Sequence, residues 1–136
     1  MSSLLLDTNI VTYTSTDTSW AKEYGPILQN QELFISFVTL AELLEAKYRA
    51  NTGERRLVLY KRSLESRYLV IHSDEMICDR FAWIRSERRQ KPISVPDALI
   101  AATALAYDLP LVTHNARDFE GINGLEIITK YQTPQN

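Results

Sequence analysis

Short apolar runs recur along the chain, and each of them ends in polar or turn-forming residues. They lie at residues 4–6, 33–36, 68–71, 110–113 and 125–128. These runs have the length and composition of buried β-strands. Runs that are apolar at consecutive positions are typical of parallel sheets, in which both faces of a strand are covered. The first run is followed by Asp7-Thr8-Asn9, which we interpret as a turn or a helix cap.

The segments between these runs have apolar residues at helical spacing. We predict helices over residues 20–30, 38–50, 54–67 and 74–89, and a further helix from Ser94 to before Pro110. Gly25 and Pro26 interrupt the first helix, and Gly53 divides the second and third into a helical hairpin. Strands that alternate with helices predict an α/β fold with a central parallel sheet of four or five short strands.

The length of 136 residues favours a single domain, which we place at residues 1–130, followed by a tail at residues 131–136. The apolar fraction of 45% and the charged fraction of 24% exclude disorder of the whole chain. Cys78 is the single cysteine, so no internal disulfide can form, and we expect the reducing cytoplasm as the compartment. We expect neither a signal peptide nor a membrane-spanning segment.

The charged residues are unevenly distributed, although the net charge is only −2. Residues 45–91 contain 12 of the 15 Lys and Arg residues but 7 of the 17 Asp and Glu residues. That segment therefore carries +5 (12 − 7), and the rest of the chain carries −7 (3 − 10). This asymmetry favours an anionic partner. The alternative is that these charges form the solvated faces of ordinary amphipathic helices.

Four acidic residues lie where a parallel sheet would place its ligand site, beyond the carboxyl ends of the strands. Asp7 directly follows the first predicted strand, and Glu42 lies early in the helix after the second. Asp118 comes shortly after the fourth strand. Asp97 lies early in the last predicted helix, which does not directly follow a strand.

Each of these acids also has a local structural interpretation, which is the favoured one when the acid is considered alone. Asp7 can cap the segment that follows it. Thr39 and Glu42 fit the T-x-x-E capping box. Asp97 lies in the first turn of a helix, where an acid faces the positive end of the helix dipole. Asp118 can cap a short turn.

Considered together, the acids indicate a metal site. Asp7, Glu42 and Asp97 are embedded in apolar segments, and a buried carboxylate is costly unless it is paired, neutral or bound to a metal. No Lys or Arg lies near Asp7 or Asp97 in the sequence. A hard divalent cation such as Mg²⁺ or Mn²⁺ takes oxygen ligands and removes the repulsion between carboxylates. His72 and His114 fit a surface and a loop residue better than ligands.

The acids occur in four segments, which are residues 4–9 (LLLDTN), 38–43 (VTLAEL), 96–104 (PDALIAATA) and 111–119 (LVTHNARDF). In residue types, order and separation this set resembles the PIN-domain ribonucleases. The single-domain format resembles their VapC-type members, which are toxins of bacterial toxin–antitoxin pairs. The resemblance covers nearly the whole chain. It implies a three-layer α/β/α fold and a metal pocket formed by Asp7, Glu42, Asp97 and Asp118.

One position departs from the pattern of that family. Many members have an acid where this chain has Asn115. The side-chain carbonyl of Asn115 can ligate a metal, but it cannot act as a base, so Asp118 is the best remaining fourth carboxylate. We expect Asn9 and Thr113 to hold the ligating carboxylates by hydrogen bonds.

The resemblance implies an endoribonuclease that depends on Mg²⁺ or Mn²⁺ and acts on single-stranded or loop regions of RNA. Transfer RNA and ribosomal RNA are the substrates expected from the family. The basic segment would hold the RNA backbone, and the candidate RNA-binding residues are Arg49, Arg85, Arg88 and Arg89. A small antitoxin and a second copy of the chain are the expected protein partners.

Three alternatives to a toxin stay open from the sequence. The first is a solitary RNA-processing nuclease of the same family. The second is a haloacid-dehalogenase-like phosphatase with Asp7 as its nucleophile, but that class needs a second acid where this chain has Asn9. The third is a PIN-like scaffold that only binds RNA or a protein, which would not need Asp7, Glu42 and Asp97 together.

Overall fold

The computed structural model describes residues 1–16 and 19–130. Within these residues five strands form one sheet in the order β3-β2-β1-β4-β5, and every neighbouring pair is parallel. The strands are β1 (Ser3–Leu6), β2 (Glu32–Ser36), β3 (Leu69–Ile71), β4 (Leu111–Val112) and β5 (Ile127–Ile128). The parallel sheet predicted from the apolar runs is therefore confirmed, although the last two strands are shorter than predicted.

Seven helices cover the sheet in the described part of the chain. They are α1 (Thr8–Thr14), α2 (Ser19–Leu28), α3 (Phe37–Arg49), α4 (Glu54–Arg67), α5 (Glu75–Glu87), α6 (Val95–Ala106) and α7 (Ala116–Phe119). Five of them correspond to predicted helices, and α1 and α7 were not predicted. Pro26 lies inside α2 and does not end it.

Alternation along the strands divides the core into two layers, because successive strand residues point to opposite faces of a sheet. On one face Leu5 belongs to a cluster with Ile100 of α6 and Phe119 of α7. On the other face Leu6 belongs to a cluster with Tyr24 of α2. The predicted three-layer α/β/α arrangement is confirmed by these two clusters.

The sheet has a topological switch point beside its central strand. The chain continues from β1 to β2 and β3 on one side, and it later returns to place β4 and β5 on the other. Leu6 pairs with Val112, and the backbone N–H of Asp7 donates to the carbonyl of Val112 at 2.9 Å. Parallel sheets form their ligand crevices at such points. The segments that follow β1, β2 and β4 therefore meet there.

The predicted tail at residues 131–136 lies outside the described residues, and the domain boundary at residue 130 stays a prediction. Of the described helices, none combines the length and the apolar character that crossing a membrane requires.

Candidate active site

Asp7 is buried at the end of β1, where both of its side-chain oxygens accept hydrogen bonds. Its side chain is 5% exposed. The backbone N–H of Thr8 donates to Oδ1 at 2.8 Å, and the hydroxyl of Thr113 donates to Oδ2 at 2.8 Å. Thr113 in turn accepts from the backbone N–H of Asn115 at 3.0 Å. These bonds fix the carboxylate between the ends of β1 and β4.

Burial raises the pKa of Asp7 from 3.8 to about 6, because the charged form loses its hydration. The hydrogen bonds from Thr113 and Thr8 favour the charged form and oppose this effect on the pKa. The negative charges of Asp97 and Glu42 raise the pKa further. Asp7 is therefore a carboxylate that is held in place although its charge is poorly solvated.

Glu42 does not form the capping box that was one interpretation of its sequence context. Helix α3 begins at Phe37, and its cap is Ser36, whose hydroxyl accepts from the backbone N–H of Thr39 at 3.2 Å. Glu42 thus lies in the second turn, beyond the reach of a capping box. Its side chain is exposed, and Oε1 accepts a hydrogen bond from the hydroxyl of Thr8 at 2.8 Å.

Asp97 lies at the capped start of α6 and also interacts electrostatically with the other acids. The hydroxyl of Ser94 caps α6 by accepting from the backbone N–H of Asp97 at 3.2 Å, which confirms the predicted helix start. Asp97 is half-buried, and desolvation raises its pKa. Hydrogen bonding to Ser94 lowers this pKa, and the charges of Asp118 and Glu42 raise it.

Asp118 and Asn115 lie at the start of the short helix α7 and are exposed. The charge of Asp118 acts on Asp97, as described above, so this acid belongs to the same electrostatic group. The side chain of Asn115 makes no capping hydrogen bond to α7. Both residues are thus placed beyond the end of β4, with side chains that water and small ions can reach.

The four acids form one group whose charges act on one another. Among the described residues the salt bridge between Arg49 and Glu45 is the only one, so none of the four acids is in an ion pair. In the same residues no group of three His, Cys, Asp or Glu side chains stands ready to hold a metal ion. The all-oxygen donor set and its uncompensated charge fit a hard divalent cation. Thr8 contacts the carboxylates of both Asp7 and Glu42, so a complete coordination shell would require Asp97 and Asp118 to approach these two.

His114 lies between Thr113 and Asn115 but turns away from the carboxylates. Its Nδ1 is 2.9 Å from the hydroxyl of Tyr24, and its ring packs against Trp20 with 4.2 Å between ring centroids. Burial lowers the pKa of His114, which favours the neutral imidazole. These contacts join the imidazole of His114 to aromatic side chains of α2.

The four candidate RNA-binding arginines differ in the contacts that their side chains make. Arg49 pairs with Glu45 at 3.1 Å on an exposed helix face. Arg85 donates to the carbonyl of Ile93 at 3.2 Å, and Arg88 donates to the carbonyl of Asp118 at 3.1 Å. Arg89 is exposed. Arg88 is thus the candidate that contacts a residue of the acidic group, while Arg85 and Arg88 both support loops of the fold.

Two threonines that were not predicted as site residues, Thr8 and Thr39, also contact the site. The hydroxyl of Thr8 bonds to Glu42, and it lies 3.0 Å from the hydroxyl of Thr39. Asn9 and Thr113 were the residues expected to hold the carboxylates. Thr113 does bond to Asp7, but within the described residues Asn9 makes no hydrogen bond to the acids. Neighbouring positions of a helix project in different directions, so Thr8 and Asn9 cannot share one contact. A signal for Thr39 was available, since a polar side chain in the apolar stretch 38–44 needs a buried partner.

The PIN domain family matches residues 4–125, a range that contains all four acids. The chain belongs to the PIN domain family. A ribonuclease named VapC1 from Haemophilus influenzae is 31% identical over 126 residues, which cover 90% of this chain and 93% of that protein. A tRNA(fMet)-specific endonuclease VapC from Shigella flexneri is 32% identical over 127 residues, covering 92% and 96%. This PIN domain is therefore of the VapC type.

Solved structures agree with this assignment. VapBC2 of Rickettsia felis, bound to a DNA fragment from its promoter, contains a chain that superposes with a TM-score of 0.77 and 28% identity. That match covers 95% of this PIN domain and 98% of the other chain. VapBC-1 of nontypeable Haemophilus influenzae superposes with a TM-score of 0.76 and 28% identity, with the same coverage. The phosphatase alternative has no support among these relatives.

Proposed function

We propose that this PIN domain is a Mg²⁺- or Mn²⁺-dependent endoribonuclease and the toxin of a toxin–antitoxin pair. The observation that carries the proposal is the group of acids at the switch point of the sheet. Their charges act on one another, and none has an ion-pair partner among the described residues. The similarity to ribonucleases of the VapC type supports the reaction class.

The proposed metal ligands are Asp7, Glu42 and Asp97, with Asp118 and the side-chain carbonyl of Asn115 completing the set. Carboxylate and carbonyl oxygens are the donors that Mg²⁺ and Mn²⁺ prefer. When bound, the cation supplies Lewis-acid chemistry and neutralises charge at the phosphodiester that is cut. These residues supply the negative charge that attracts the cation to this edge of the sheet.

The acids differ in exposure, and this difference supports separate tasks in the reaction. Asp7 is held by Thr8 and Thr113 and has little freedom to move, so its proposed task is to fix the position of the bound metal ion. Glu42 and Asp118 are exposed and can reach both water and substrate. Whichever of these two carboxylates is not bound to the metal is the proposed general base.

RNA with unpaired nucleotides is the proposed substrate. The basic segment at residues 45–91 would attract the phosphate backbone, so binding should weaken as salt rises. Arg49, Arg85, Arg88 and Arg89 are the proposed contacts. The relative from Shigella flexneri is named for tRNA(fMet), which makes transfer RNA the first substrate to test.

The protein partners are proposed from the solved complexes. The similar chains come from VapBC structures, and a further similar chain comes from a toxin–antitoxin complex of Klebsiella pneumoniae. We propose a small antitoxin as the natural inhibitor, a homodimer as the assembly, and the cytoplasm as the compartment. A solitary processing nuclease is the alternative, and a short neighbouring gene for an antitoxin would decide against it.

The reaction is tested with purified protein, a single-stranded RNA and transfer RNA. Wild type should cleave with Mg²⁺ or Mn²⁺, and EDTA should stop the cleavage. Asp7→Asn and Asp97→Asn should abolish cleavage, whereas Asp79→Asn changes an exposed acid on α5 and should not. Cleavage that continues in EDTA, or that survives both site substitutions, would refute the proposed reaction.

The toxin assignment needs a separate test in a bacterial host. Expression of wild type without an antitoxin should arrest growth, and expression of Asp7→Asn should be harmless. If both proteins are tolerated equally while wild type cleaves RNA in vitro, the chain is a nuclease but not a toxin.

A further inference from the structure

Thr8 contacts two of the acids through different atoms. Its backbone N–H donates to Oδ1 of Asp7, and its hydroxyl donates to Oε1 of Glu42, each at 2.8 Å. Asp7 follows β1, whereas Glu42 lies on α3, so the two carboxylates belong to separate elements. Thr8 is therefore the residue that connects them.

Thr39 completes this contact from the buried side. Its side chain is 0% exposed, and its hydroxyl lies 3.0 Å from the hydroxyl of Thr8. Each hydroxyl has one proton, and an ionised carboxylate can only accept. Because Thr8 gives its proton to Glu42, Thr39 must donate to Thr8. The result is a directed chain from Thr39 through Thr8 to Glu42.

The position of Glu42 depends on this chain of hydroxyls, since the bond from Thr8 is the one side-chain hydrogen bond that Glu42 makes within the described residues. Glu42 is exposed and carries several rotatable bonds, so an unrestrained carboxylate would sample many conformers. The like charge of Asp7 also favours conformers in which Glu42 turns away into water. A donor fixed between the two carboxylates opposes both effects.

We propose that Thr8 and Thr39 are positioning residues, which hold the carboxylate of Glu42 beside Asp7 so that both can bind one divalent cation. This inference rests on the proposed metal-dependent function. Partners of this kind orient metal-binding carboxylates, and their loss typically weakens metal binding or activity by about 10- to 100-fold.

The competing interpretation is that both threonines only pack the junction between β1 and α3. Thr8→Val and Thr39→Val keep the shape of the side chain and remove the hydroxyl. Thr8→Ser keeps the hydroxyl and removes the methyl group. The matched control is Thr12→Val, one helical turn further along α1, where the hydroxyl donates to the carbonyl of Thr8 and not to an acid.

The test is calorimetric titration of the full chain with Mn²⁺ alone, without RNA, after thermal unfolding has shown that each variant folds. Cleavage of RNA is measured as a function of Mn²⁺ concentration on the same samples. Thr8→Val should weaken Mn²⁺ binding by about tenfold or more. Thr39→Val should weaken it less, because Thr8 can still donate. Thr8→Ser and Thr12→Val should bind Mn²⁺ as wild type does, and high Mn²⁺ should restore cleavage by Thr8→Val.

Each outcome decides the inference. Equal Mn²⁺ affinity of Thr8→Val and wild type, with a wild type that binds Mn²⁺ and cleaves RNA, overturns the positioning role and leaves the proposed function intact. Equal losses in Thr8→Ser and Thr8→Val assign the effect to packing and also overturn it. A wild type that neither binds Mn²⁺ nor cleaves RNA overturns the proposed function together with this inference.

Discussion

Replacing Asp7 by Asn should stabilise the metal-free protein at neutral pH, although it should abolish cleavage. Asp7 is 5% exposed, and burial raises its pKa from 3.8 to about 6. Above that pH the folded chain holds a charge that is worse solvated than in the unfolded chain. The difference between the two pKa values corresponds to about 3 kcal/mol. Asn is neutral and nearly the same shape, so it avoids this cost.

Part of the gain is offset by hydrogen bonds that Asn cannot reproduce. Both oxygens of Asp7 accept, one from Thr8 and the other from Thr113. The amide has one oxygen, and its NH₂ group would face the hydroxyl of Thr113. Losing one such bond costs about 1 kcal/mol. The expected net gain is therefore about 2 kcal/mol, which raises Tm by about 5–10 °C for a chain of this length.

The high pKa of Asp7 also determines how the free energy of unfolding of wild type changes with pH. Between pH of about 4 and 6 the folded state binds more protons at Asp7 than the unfolded state does, because the folded pKa is the higher one. The free energy of unfolding of wild type therefore falls as pH rises through this window. Below the window Asp7 is neutral in both states, so the advantage of Asn disappears there.

The assay is thermal unfolding of wild type and Asp7→Asn in EDTA, from pH 4 to pH 8. The difference in Tm between the two proteins is compared at each pH, because the titration of all other groups is common to both and cancels. The matched control is Asp118→Asn, which changes an exposed acid of the same group and should leave Tm nearly unchanged in EDTA. If Asp7→Asn is no more stable than wild type at pH 7.5, or if its advantage does not shrink towards pH 4, the desolvation argument is wrong.

Three further substitutions test contacts elsewhere in the fold. Ser36→Ala removes the cap of α3 and should cost about 1 kcal/mol, measured by urea unfolding. Tyr24→Phe removes a buried hydroxyl that bonds to His114 and to the backbone N–H of Lys130, so it should lower the free energy of unfolding by about 1–2 kcal/mol. Arg49→Ala removes an exposed ion pair, so Tm should hardly change. A salt-dependent loss of RNA affinity in Arg49→Ala would then report a contact with RNA.

The layers and sheet could be predicted because they follow from apolar runs that alternate with amphipathic segments. The two missed helices show where this signal ends. Helix α1 has the sequence TNIVTYT, in which β-branched residues disfavour a helix and tertiary packing of Ile10 and Val11 decides the outcome. Helix α7 has four residues, too few to display a helical period. Neither element could be recognised from local pattern alone.

The acids could be located from the sequence, but their hydrogen-bond partners could not. An acid that follows a buried strand is visible in the sequence, as at Asp7. Thr8 and Thr39 are 31 positions apart, and their contact depends on how α3 packs beside the end of β1. The capping box at Thr39 and Glu42 failed for a related reason. Ser36 ends β2 and caps α3 at once, so the cap lies three residues before Thr39.

The charge of Asp7 is the strongest physical argument that this site binds a cation. Asn could occupy the same space and still accept the hydrogen bond from Thr8, at a lower cost in desolvation. Stability of the metal-free fold therefore does not explain a carboxylate at this position. The proposed divalent cation would explain it, because its binding would favour the charged carboxylate over a neutral side chain. Adding Mn²⁺ in place of EDTA should accordingly raise the Tm of wild type and leave that of Asp7→Asn nearly unchanged.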